Sequence, residues 1–243
     1  MISVNKIQKE GIIFRISDYK DQATKIQFLT EKGIESLIVR GGKKYSKLNS
    51  LNQMFTYCHF VSTDGKVLNT LTDGEVIDNY LNIKTDEIKS LIAFSLFEYI
   101  QRFNEAINEY SKLFKFMIDL LKILNDTKYP NLILTIFEIK FWYILGIQPR
   151  FDQCSKCENV GKYFSIASGG VVCEEHLDEY SLSENFTKTI YLFYHIKLNL
   201  IDDFFLEKFD SSFKDLEKII SDYYQYYFEF TNQNKKLLLS FLK

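Results

Sequence analysis

Cys154 and Cys157 stand as C-x2-C, and after fifteen intervening residues Cys173 and His176 stand as C-x2-H. Two such pairs at this separation form the ligand pattern of a tetrahedral zinc ribbon or knuckle. In an x2 turn both thiolates can approach one ion while backbone amides hydrogen-bond the sulfurs. Gly169 and Gly170, just before the second pair, suit the tight turn needed there. The stretch has little apolar periodicity of its own, so an ion is what would order it. In small units zinc contributes on the order of 10–16 kcal/mol at neutral pH. With four positions filled, three by thiolates, no open site is left for a reactive water and Lewis acidity is blunted. The expected role is therefore structural, with Cys154, Cys157, Cys173 and His176 as ligands.

Other chemistry finds little support. A zinc deaminase needs H-x-E and P-C-x-x-C; Pro149 lies five residues before Cys154, and neither His59 nor His195 begins an H-x-E. The phosphate-binding, dinucleotide, metalloprotease and nucleophile-elbow motifs are all missing from the sequence. Cys58 and His59 are neighbours on an expected strand, so their side chains point to opposite faces and read as packing residues. His195 reads as an ordinary helix residue, and Asp202–Asp203 as a helix-end pair.

Two kinds of element must carry these residues. Short apolar runs at Gly11–Ile16, Thr24–Thr30, Ile34–Arg40, Met54–Val61 and Lys66–Leu71 are separated by turn-forming stretches. They predict five strands closing into a small OB-type β-barrel over residues 1–80. In the tight turn "TEKG", Gly33 supplies the positive φ. From Asp86 the apolar period becomes helical, with Thr85 as the expected cap of a first helix. A second helix is expected over Glu105–Leu124, and a third from Pro130 to about Leu145, ended by Gly146. The third is apolar almost all round, which places it at the centre of a bundle. Further helical patterns cover Glu184–Asn199, Ser211–Phe230 and Asn234–Leu242. The expected fold is α+β: the barrel, then a helical domain over residues 81–243 with a zinc-binding insertion at residues 151–178.

The 243 residues are 46% hydrophobic and 26% charged, ordinary for a globular protein, with a formal net charge of −2. Whole-chain charge therefore singles out no polyanionic partner. Its distribution says more. Residues 1–80 carry eleven basic and nine acidic side chains, and between Lys32 and Ser50 five cations (Lys32, Arg40, Lys43, Lys44, Lys47) face Glu35 alone. The N-terminus lacks the apolar core of a signal peptide, and the most apolar stretch, Leu132–Leu145, is broken by Glu138 and Lys140. With cysteines in metal-like spacing, this predicts a cytoplasmic protein.

The order of barrel, helices, zinc segment and helices resembles the RecO family of bacterial recombination mediators. The opening "KEGIIFRISDYKDQATKIQFLTEKGIESLIVRGGKK" is similar to that family's N-terminal strands and basic glycine loop. "FWYILGIQPRFDQCSKC" resembles its Leu-Gly-x-x-Pro helix end before C-x2-C, and "FSIASGGVVCEEH" the stretch before its second ligand pair. His176 stands where zinc-bearing relatives commonly place cysteine. The resemblance implies a non-enzymatic DNA repair protein that binds single- and double-stranded DNA and anneals complementary strands. It also implies loading of recombinase on strands coated by single-strand-binding protein (SSB), with the SSB C-terminal tail and RecR as partners. Arg40, Lys43, Lys44 and Lys47 are then the first expected phosphate contacts, and Arg15, Lys20, Lys25 and Lys32 the second. Tyr45 and Tyr57 are possible base-stacking residues, although Tyr57 suits core packing better. Arg102, Lys140 and Arg150 border apolar helices and are the candidates for an SSB-tail pocket, with exposed surface charge the plainer expectation for each. A competing reading is an interaction scaffold of the same fold with weak or no DNA binding.

Overall fold

The computed structural model describes residues 6–19, 23–40, 48, 51–65 and 68–241. The chain divides into two compact units, Met1–Asp126 and Thr127–Lys243.

The first unit is built on β1 (Lys6–Tyr19), β2 (Ala23–Thr30), β3 (Gly33–Val39), β4 (Thr56–Thr63) and β5 (Asn69–Asp78). They close into a barrel in the order β1-β2-β3-β5-β4, with β4 returning to β1. All pairings are antiparallel except β3 with β5. Every second residue points inward, Ile26 and Phe28 on β2, Leu37 and Val39 on β3, Cys58 and Phe60 on β4; on β1 a bulge after Ile13 shifts the phase, so that Ile13 and Ile16 do so. Cys58 is thus core, and burial pushes its thiol up to about 12. The turn between β2 and β3 is a tight hairpin with Gly33 at φ 123. Thr30 braces it, its hydroxyl donating to the Gly33 carbonyl at 2.9 Å.

Among the described residues this unit also holds the α-helices α1 (Leu81–Thr85), α2 (Glu87–Arg102) and α3 (Tyr110–Asp126). The barrel's outer wall meets them through aromatic rings. Phe14 stacks on Phe97 of α2 at 5.0 Å between centroids, and Tyr57 meets Phe114 of α3 edge-on. The cap of α2 is Asp86 rather than Thr85; its carboxylate accepts from the Lys89 amide at 3.0 Å. The second helix begins at Tyr110, not Glu105. A 3-10 turn at Asn104–Ala106 is followed by Ile107, which is extended and buried, so burying that one side chain interrupts the helix.

In the second unit α4 (Pro130–Ile144) is the central helix, as its all-round apolar pattern predicts. Around it lie β6 (Tyr163–Ser165), β7 (Gly170–Val172), α5 (Glu184–His195), α6 (Asp203–Glu207), α7 (Phe213–Phe228) and α8 (Gln233–Phe241). Trp142 of α4 packs on Tyr223 of α7 and on Phe164 of β6. Glu138 is fully buried; Lys235 of α8 donates to both its carboxylate oxygens, at 2.8 and 3.1 Å. Lys140 is no exposed surface charge. It is half-buried, and its ammonium donates to the Tyr194 and Ile196 carbonyls at 3.0 and 2.6 Å. The helix expected to run to Asn199 stops here, because Ile196 turns extended at ψ 136.

Candidate metal centre and nucleic-acid interface

Cys154 and Cys157 sit on a turn that follows α4; Cys173 and His176 follow β7. Backbone hydrogen bonds bring the two pairs together. Ser155 N–H donates to the Val171 carbonyl at 2.8 Å, Val171 N–H to that of Arg150 at 2.8 Å, and Lys162 N–H to that of Val172 at 2.9 Å. The crossing is close: a Cβ on Gly170 would lie 2.8 Å from both the Arg150 carbonyl oxygen and Ser155 Oγ. Gly169, at φ 60, makes the turn into β7. A one-turn 3-10 helix, Glu174–His176, then swings His176 back over the cysteines.

The four donor atoms all lie within 4.8 Å of one another. Cys157 Sγ and Cys173 Sγ are 3.8 Å apart; His176 Nδ1 lies 3.6 Å from Cys154 Sγ and 3.3 Å from Cys173 Sγ. Zinc–sulfur and zinc–nitrogen distances of about 2.3 and 2.0–2.1 Å imply tetrahedral edges of about 3.8 Å between sulfurs and about 3.5 Å from sulfur to nitrogen. The group can hold a metal ion, and its donor chemistry and spacing fit zinc. Cys154 and Cys173 are buried, Cys157 and His176 half-buried. Burial alone would push the Cys154 thiol up, but the amides of Lys156, Cys173 and Cys157 and the Cys157 thiol outweigh it and bring it down to about 6. For Cys157 the Asn159 amide acts downward; burial and the neighbouring sulfurs of Cys154 and Cys173 carry the balance upward. Such mutual shifts are expected where several thiols crowd one point.

The cationic candidates divide. Lys20, Lys43, Lys44, Lys47 and Tyr45 lie outside the described residues. Arg15, Lys25 and Arg40 share the outer face of β1–β2–β3. Register opposes Arg15 to Gln27, and Gln27 to Ser36; it opposes Ser17 to Lys25, and Lys25 to Ile38. Arg40 follows Val39, the partner of Thr24, one row further on. The three cations therefore descend diagonally across three strands, with neighbours about 7–8 Å apart in such a register. A β-bulge between Ile13 and Arg15 makes this possible. It lets Phe14 bury against α2 while Arg15, next in sequence, stays exposed on the open face.

Lys32 does not join them. It sits in the β2–β3 hairpin, about 20 Å along the strand from Lys25. That end also carries Glu31 and the Lys9–Glu35 ion pair at 2.6 Å. Tyr57 is no exposed ring, since it is half-buried against Phe114 and its hydroxyl donates to Glu10. His59 lies half-buried on β4, while His195 is an exposed ring beside Tyr191 at 4.4 Å. Arg102 is exposed at the end of α2, and Arg150 is exposed in an ion pair with Asp152. Among the described residues no helix is long and apolar enough to cross a membrane.

The bulge and the diagonal were not predicted, because they depend on strand register; only the helix-facing demand on Phe14 beside a polar Arg15 hinted at them. Residues 1–80 match the family described as Recombination protein O N terminal, and residues 85–236 match Recombination protein O C terminal. A protein of Bacillus cereus (strain AH187) named DNA repair protein RecO is 30% identical over 226 residues, covering 90% of each chain. A protein of Bacillus anthracis with the same name matches to the same extent, and one of Halalkalibacterium halodurans is 28% identical over 90% of this chain and 88% of its own.

Proposed function

Because the chain belongs to the RecO family of DNA repair and recombination proteins, we propose that it is a non-enzymatic mediator that holds DNA on the outer face of its barrel. On this reading it binds single- and double-stranded DNA, anneals complementary strands and helps load recombinase on SSB-coated strands. Residues 1–80 are the nucleic-acid module. Residues 81–243 are the helical module for the SSB C-terminal tail and RecR, with the metal segment at residues 151–178. It works in the cytoplasm, at the nucleoid during repair.

The observation that carries this reading is the diagonal of Arg15, Lys25 and Arg40 across β1–β2–β3. A polyanion tracking across the strands meets Arg15 on β1, Lys25 on β2 and Arg40 just past the end of β3. The sequence adds Lys43, Lys44 and Lys47 immediately beyond Arg40 and Lys20 beyond β1. Lys32, in its mixed-sign surroundings, is the weakest of the proposed contacts. Phosphate contacts of this kind position a strand without reading its sequence, which suits a protein that must act on any strand and then release it.

Cys154, Cys157, Cys173 and His176 would hold a Zn2+ whose contribution is structural: it would tie the Arg150–Gln153 segment to β7 and fix the chain that follows. This chain's own groups do the remaining work by charge and shape, with no bond made or broken.

The test is annealing of complementary oligonucleotides, with and without SSB, by wild type and by Arg15→Gln/Lys25→Gln/Arg40→Gln. The variant should keep its fold and lose most of its annealing rate. Unchanged annealing and DNA affinity would refute the barrel-face reading. DNA binding absent from the wild type, with SSB or RecR still captured, would establish the scaffold reading instead.

A further inference from the structure

A groove in the second unit runs between α7 and the chain segment 179–182. That segment is a hydrogen-bonded wall. Leu182 N–H donates to the Phe164 carbonyl at 2.7 Å and Ile166 N–H to that of Tyr180 at 3.2 Å, so it extends the β6–β7 pair by a third short edge. Asp178 pins its start: its carboxylate accepts from Ser165 Oγ and Ser181 Oγ, both at 2.8 Å, and from the Tyr180 amide at 3.1 Å. Burial works against the Asp178 carboxylate, but these donors and Lys156 hold it below its usual range.

The lining combines three chemistries. Ile166, Leu182 and Ile219 give an apolar floor. Tyr180 and Tyr226 stand at the mouth, their rings 5.6 Å apart and tilted by 56°. Despite that contact they remain 42% and 50% exposed, so both present free ring surface. Glu179 and Asp222 add a carboxylate from each wall. Among the described residues neither is in an ion pair. The negative field is felt locally: the Glu179 carboxylate first, then burial and the phenol's hydrogen bond to it, with Tyr226 and Asp178 adding less, raise the Tyr180 hydroxyl above its usual range.

An apolar floor, two exposed aromatic rings and a carboxylate on each side complement one kind of side chain: a cation on a hydrocarbon stem. The rings attract a cation through their quadrupoles within about 6 Å, the carboxylates through charge, and the floor buries the methylenes. A nucleic-acid strand is repelled by the same carboxylates. We propose that this groove docks an arginine- or lysine-bearing peptide segment of a partner protein. The site is of opposite charge to the barrel face and stands independently of the DNA-binding reading.

The experiment titrates the full-length protein with a blocked six-residue peptide carrying two arginines, and with its citrulline counterpart, followed by amide chemical shifts. Saturable shifts at Tyr180, Ser181, Asp222 and Tyr226 are expected, with the citrulline peptide at least tenfold weaker. Asp222→Asn and Tyr226→Leu should each weaken binding about three- to tenfold. If Tyr226→Leu misfolds, Asp222→Asn decides alone. Equal binding of the citrulline peptide, indifference to Asp222→Asn, non-saturating shifts spread over the acidic surface, or oligothymidylate shifting the same amides would each overturn the proposal.

Discussion

Removing one thiolate from the metal centre should loosen a defined piece of the second unit and leave the rest intact. Consider Cys157→Ser. Its sulfur lies 3.8 Å from that of Cys173, so its loss removes one corner of the donor tetrahedron. Zinc ordering of small units is worth roughly 10–16 kcal/mol. Here β6, β7 and the stacking of Trp142 on Phe164 already support part of the fold. If only a third of the metal's contribution is felt locally, the opening free energy falls by about 4 kcal/mol, a loss of about a thousandfold in protection. Native-state hydrogen exchange reads this directly. The amides of Ser155, Lys162 and Val171, which bond across the two ligand pairs, should lose that protection in Cys157→Ser and in chelated wild type. Amides within α4, whose residues from Leu132 to Trp142 are buried apart from the half-buried Lys140, should hardly change. Unchanged protection at Ser155 and Val171 after verified metal removal would refute the reasoning, since the segment would then order itself without an ion.

Two further outcomes concern buried charge in the second unit. Lys235→Met should destabilise it by about 3–5 kcal/mol, because it takes from the fully buried Glu138 carboxylate the ammonium that donates to both its oxygens. Adding Glu138→Met should restore most of that loss, a double-mutant cycle readable by denaturant unfolding. Burial pushes the Lys140 ammonium down to about 8, well below its unfolded value. Between that pH and about 10.5 the unfolded chain holds more protons than the folded one, so stability rises with pH across this window. Melts of Lys140→Met across the same range should lack that rise.

Much of this architecture is legible in the residues. Four short apolar runs mark the first four barrel strands, but the fifth, expected over Lys66–Leu71, lies instead over Asn69–Asp78, and Lys66 and Val67 fall outside the described residues; α4 announces its central place because Glu138 and Lys140 alone put charge on its apolar surface. The Cys3His group that could hold a metal can be picked out by spacing, since an x2 turn limits where two sulfurs can go. What escapes the sequence depends on contacts between distant residues. α1 is five residues long and starts from Tyr80 in a left-handed conformation; the side chain of Asn125 on α3 holds it, accepting from the Asn82 amide at 3.0 Å. Lys235, which pairs with Glu138, lies 97 residues away from it. Lys140 resembles a surface cation until α5 ends above it and supplies two carbonyls. The diagonal of cations likewise arises only once the β1 bulge sets the register of Arg15.

The most direct test of the central claim is the salt dependence of single-strand affinity, measured for wild type and for Arg15→Gln/Lys25→Gln/Arg40→Gln. Each phosphate contact on a single strand contributes about −0.7 to the log–log slope, so the triple variant should bind more weakly and with a slope shallower by about 2. An unchanged slope in the variant, with wild-type binding still salt-sensitive, would place the DNA elsewhere and contradict the account.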